Sequence, residues 1–112
     1  MELLLLLFVC SGLLLAGLSI PLILGKIGPN PWYGFRVERT LSDPAVWYAV
    51  NAYSAKWLLA VGIVNIVSAV VLYFVPEIDV AVYASSCGAI AVIGLVLGLI
   101  QSFRFLRSLN QD

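Results

Sequence analysis

The sequence predicts an all-α integral membrane protein with three transmembrane helices, the second of them extended at its cytoplasmic end. Three observations carry this reading. Of 112 residues, 62% are hydrophobic and 11% charged, with a mean hydropathy of +1.07; a soluble domain carries about 25% charged residues and under about 50% apolar ones. Three uncharged windows, 3–25, 57–75 and 81–103, approach or exceed the roughly 20 residues needed to cross about 30 Å of hydrocarbon. These windows are continuous rather than alternating, which excludes the strands of a closed barrel and leaves helices. The same composition excludes a soluble domain, a disordered tail and a nucleic-acid binder. The whole chain, 1–112, reads as a single membrane domain.

The first span opens Met-Glu without basic residues, runs past the usual apolar length of a secretory leader and lacks an Ala-x-Ala-like cleavage site, so it reads as a retained helix. Within it, Gly12 and Ala16 form a small-x-x-x-small pair, a sign of close helix packing.

The connection 26–56 carries most of the information. Gly28, Pro29, Pro31 and Gly34 forbid a helix over its first part and predict turn or extended chain. Residues 26–43 therefore read as a structured cytoplasmic loop. Ser42 or Asp43 then caps a helix with Pro44 in its first turn. No breaker follows until Pro76, so one helix is expected over about 44–75, including the second span. It is about 48 Å long at 1.5 Å per residue, and whether it is straight or bent near Ser54 stays open. Trp47 and Asn51 share one face of it, which Leu58 and Asn65 continue. Asn65 lies at mid-span, where its amide is expected to hydrogen-bond another helix or a buried water.

Pro76 ends that helix, and residues 76–80 form an outer turn in which Glu77 or Asp79 favours the next N-terminus through the helix dipole. The third span, 81–103, contains the GxxxG pair Gly94 and Gly98 and leads into a tail, 104–112.

Charge distribution sets the orientation. Lys26, Arg36, Arg39 and Lys56 lie between spans one and two, and Arg104 and Arg107 follow span three. The N-terminus and the second turn carry no basic side chain. By the positive-inside rule, loop 26–56 and the C-terminus are cytoplasmic and the N-terminus is outside.

No chemistry-bearing constellation emerges. Histidine is absent, which removes His-ligated haem, pigment or metal and every imidazole-based triad, so no cofactor is expected beyond lipid contacts. No carboxylate or base sits at mid-membrane to activate a nucleophile or relay protons, so the chain is not read as an enzyme. Cys10 and Cys87 are too few for a disulfide scaffold and are expected to be buried apolar filler.

All three tryptophans and three of the five tyrosines fall between residues 32 and 57. Trp32, Tyr33 and Trp57 fit an interfacial aromatic belt. Their order relative to neighbouring polar residues says more. The run Asn30…Gly34-Phe35-Arg36…Thr40-Leu41-Ser42…Trp47…Asn51 resembles the signature segment of the SdpI-type family of small multi-span membrane proteins. The resemblance covers residues 20–70 or so. The chain departs from it in having Val37 and Glu38 where many members have Thr and Pro, and in its three-span length. The resemblance implies a bacterial plasma (inner) membrane protein that binds a peptide or protein partner, in immunity or signalling. Asn30, Gly34, Arg36, Thr40, Ser42, Trp47 and Asn51 are then the candidate partner-binding residues.

Arg36 carries five donors and cannot deprotonate, so near lipid it needs carbonyl, carboxylate or phosphate acceptors, with Glu38, Asp43 and loop carbonyls the local candidates. Arg39 reads as a plain topogenic charge. A second reading also stays open: a small accessory subunit packed through its helices at the periphery of a larger membrane complex, such as an energy-converting or photosynthetic assembly. The expected partners on either reading are membrane lipids and other transmembrane helices.

Overall fold

A computed structural model describes residues 1–109; the part of the expected tail at 110–112 lies outside the described residues. Four helices follow in order: α1 (Glu2–Ile23), α2 (Glu38–Ser42), α3 (Pro44–Tyr73) and α4 (Val80–Ser108). Three of them, α1, α3 and α4, are long and apolar enough to cross a membrane. The molecule is a rod of 56 × 23 × 18 Å. The described residues contain no strand.

α3 is the central element. It runs uninterrupted for 30 residues, about 45 Å, so it outreaches the hydrocarbon by roughly half as much again. Its start is set by Asp43, whose side chain accepts the Ala45 N–H at 3.0 Å with Pro44 in the first turn. Ser42 does not cap it, but closes α2 by donating to the Arg39 carbonyl.

α1 packs on α3 more extensively than α4 does. The α1–α3 crossing is a backbone contact. A Cβ on Gly12 would lie 2.6 Å from the Gly62 carbonyl oxygen, and one on Gly62 would lie 2.6 Å from the Gly12 oxygen and 3.1 Å from the Ala16 nitrogen. The expected Gly12–Ala16 surface thus has Gly62 as its counterpart. On the other side of α3, Gly94 receives Val61 and Gly98 receives Trp57, so the GxxxG of α4 faces α3. Trp57 is a packing residue as much as an interfacial one.

α1 ends in a Schellman motif. Gly25 adopts φ +70° at C′, its N–H donates to Leu22 O, and the Lys26 N–H donates to Pro21 O. At the far end of the rod, Tyr83, Cys87 and Ala69 form a closed core against Phe8 and neighbouring α1 side chains, with the Tyr83 hydroxyl donating to Ala69 O at 2.8 Å. Both cysteines were expected to be buried; Cys87 is, but Cys10 is exposed. α1 is apolar on every face, so nothing in its pattern distinguishes the side that packs from the side that meets lipid.

Asn65 is buried at 3% exposure, and its Oδ1 has no protein hydrogen-bond partner among the described residues.

Candidate functional site

The connection between α1 and α3 is a built structure. Its backbone turns too often to satisfy its own polar groups, and four side chains take over that work. Asn30 is the hub of the first turn. Its Oδ1 accepts the N–H groups of Trp32 and Tyr33, both at 2.8 Å, while its Nδ2 donates to Gly28 O at 2.8 Å and Tyr33 O at 3.1 Å. The amide's hydrogen-bonding capacity is filled by local backbone.

Trp47 and Asn51, one turn apart on α3, fasten the loop to the helix. The Trp47 indole N–H donates to Ile27 O at 2.7 Å. Asn51 Oδ1 accepts the Phe35 N–H at 2.6 Å, and its Nδ2 donates to Trp47 O at 3.0 Å and Phe35 O at 3.5 Å. Both side chains are buried.

Gly34 is the residue that lets the chain come this close. Its φ is +116°, and a Cβ there would lie 2.7 Å from Asn51 Oδ1 and 2.9 Å from Trp47 Cη2. Only glycine meets both demands.

Thr40, fully buried on α2, completes the set. Its Oγ1 accepts the Val37 N–H at 2.9 Å, and its hydroxyl lies within reach of Phe35 O at 2.8 Å and Val37 O at 2.9 Å. The N-terminus of α2 is thereby capped from inside. α2 itself was not anticipated, because five residues are too short to show a period.

Two contacts then carry the loop across to α4, and a third joins α3 to α4 beside them. The rings of Phe35 and Phe103 meet edge to face at 5.0 Å, and Tyr53 stacks on Phe105 at 4.3 Å. Arg39 Nη1 donates to Leu106 O at 2.8 Å, placing a cation at the negative end of the α4 dipole. Arg39 is therefore a tertiary fastener, not merely a topogenic charge. Nothing in the sequence separates it from Arg36, since its acceptor lies 67 residues away.

Of the seven candidates, Asn30, Gly34, Thr40, Trp47 and Asn51 are brought together as the loop's internal frame. Ser42 is exposed and bonds only within α2. Arg36 is exposed, and its Nη1 donates to Pro31 O; neither Glu38 nor Asp43 pairs with it. Among the described residues, the one ion pair joins the N-terminal amine to Glu2, so all six Lys and Arg side chains stand without a carboxylate.

Trp32 is 84% exposed on this frame. Tyr33 turns inward, its hydroxyl donating to Leu18 O on α1. Burial pushes its phenol above the usual range.

Beneath the loop lies an open hollow of about 550 Å³ between α1 and α3, apolar on its floor, with Arg36 and Trp32 in its walls. A narrower hollow of about 270 Å³ lies between α3 and α4, and the two share Ser54 and Leu58.

Compared with known proteins, residues 26–103 match the model of the SdpI/YfhL protein family. No curated protein and no solved structure matches the chain.

Proposed function

Because the chain belongs to the SdpI/YfhL protein family, we propose that it is a non-enzymatic membrane protein whose first loop binds a peptide or protein partner, in immunity or signalling, from the cytoplasmic side of a bacterial plasma membrane. One observation carries this reading: the loop's backbone is tied down by Asn30, Thr40, Trp47 and Asn51 while Trp32 is left 84% exposed and Arg36 has one carbonyl acceptor.

Trp and Arg are the side chains that most often dominate binding energy. Mounted on a fixed backbone, they lose little entropy on docking. An interfacial belt needs Trp at headgroup depth, but it does not need a frame of buried amides beneath it. Arg36 adds a preference for acidic groups, since a guanidinium grips a carboxylate through two parallel bonds where an ammonium offers one point charge.

The experiment is co-purification of the tagged chain in mild detergent, in wild type, Trp32→Ala, Arg36→Ala and Arg36→Lys. All three side-chain changes are at exposed positions, so the fold is expected to persist. Loss of a stoichiometric partner in all three supports the reading. Retention in all three contradicts it.

A further inference from the structure

The two hollows at the loop end of the rod share a geometry that a docking surface for protein does not need. The larger begins at Arg36 and descends along Leu18, Leu22, Ala55 and Leu58, and its volume falls within the usual range for ligand sites of about 300–1,000 Å³. The smaller runs along the GxxxG face of α4 and has almost no polar lining. They share Ser54 and Leu58, so the two flank the same strip of α3, the larger with Arg36 in its wall.

The geometry points to an anionic diacyl phospholipid held at this site, its phosphate on Arg36, one acyl chain against α1 and the other against α4. This does not rest on the loop having a protein partner. Three features select this occupant. The Arg36 guanidinium spends one N–H on Pro31 O and faces no carboxylate, so it has donors left for a doubly accepting phosphate. The six unpaired basic residues border this end of the rod, with only Glu38 and Asp43 as acidic neighbours among the described residues, which favours an anionic headgroup over a zwitterionic one. Two hollows, of about 550 and 270 Å³, on either side of one strip of α3 suit two acyl chains on one headgroup.

Purified chain in dodecyl maltoside would be mixed with dioleoyl phosphatidylglycerol or dioleoyl phosphatidylcholine and examined by native mass spectrometry. One phosphatidylglycerol per chain is expected, preferred by about tenfold over phosphatidylcholine, which offers Arg36 the same phosphate but sets a choline cation among the surrounding basic residues. Arg36→Gln should weaken retention of both lipids by about tenfold, since both lose the phosphate contact. Leu18→Trp, which fills the α1 furrow from an exposed position, should evict the lipid although Arg36 is intact, with unchanged thermal stability showing that the fold persists.

Inorganic phosphate at millimolar concentration should not displace the lipid; if it does, the site is an anion site without a role for the furrows. A photocrosslinking residue at Leu18 should give an adduct of lipid mass in native membranes, and a protein-sized adduct would mean that a partner fills the groove instead. Equal retention of both lipids, or retention unaltered by Arg36→Gln, would overturn the proposal.

Discussion

Two buried asparagines on α3 should respond to the same change to very different extents. Asn51 and Asn65 lie two heptads apart on one helix face, at 2% and 3% exposure. Asn51→Ala removes the only acceptor of the Phe35 N–H, bonded at 2.6 Å, and the donor to Trp47 O at 3.0 Å. A partly buried donor left without a partner costs about 1–3 kcal/mol. Lost contacts of the side chain with the Gly34 backbone add about 1 kcal/mol, for a total of roughly 2–4 kcal/mol.

Asn65→Ala removes an Oδ1 that has no partner to lose. The relieved desolvation offsets the lost packing, and the net change should fall within about 1 kcal/mol of zero. The assay is unfolding by dodecyl sulfate in mixed dodecyl maltoside micelles, followed by far-ultraviolet circular dichroism and by tryptophan fluorescence. In a Trp32→Phe, Trp57→Phe background, Trp47 is the one tryptophan and reports on the loop frame. Equal destabilisation by the two substitutions, or a greater loss from Asn65→Ala, would refute the reasoning.

Gly34→Ala should cost at least about 2 kcal/mol, from a φ of +116° and a Cβ lodged 2.7 Å from Asn51 Oδ1, whereas Gly17→Ala, with nothing within 4 Å, should stabilise α1 by up to about 1 kcal/mol in the same titration. Arg39→Met should free the C-terminal end of α4, seen as roughly fivefold faster amide exchange at 103–108, a loss of about 1 kcal/mol; unchanged exchange would return Arg39 to a topogenic role. With single cysteines placed at Glu77 and Ser108 in a Cys-free background, an impermeant reagent should label Glu77→Cys on intact cells and spare Ser108→Cys; the reverse pattern would invert the orientation.

The spans and the hairpin between α3 and α4 were legible because charge, hydropathy and Pro76 speak within a few residues of one another. The loop frame was legible in part. Gly34, Trp47 and Asn51 were singled out by type and order, and glycine is the residue whose presence announces a close backbone approach. What they do with one another was not readable, because the Asn51–Phe35 contact spans 16 residues of irregular chain.

Contacts to α4 left no local mark. Phe103, Phe105 and the Leu106 carbonyl look like any end of an apolar span, and the Arg39 acceptor is a main-chain atom that every residue possesses. Gly62 was overlooked for a related reason: a lone glycine in a helix shows its purpose only when Gly12 is placed opposite.

The first loop is a fixed frame rather than a tether between two spans, and every role given to its residues follows from that. Hydrogen–deuterium exchange of the wild-type chain in nanodiscs tests that directly, read at the amide of Phe35 and over residues 32–42. With its N–H held by Asn51 inside the loop, Phe35 should exchange slowly, on the scale of α3 amides, and Tyr33 and Val37 should be protected with it. Complete exchange of these amides within seconds would contradict the account.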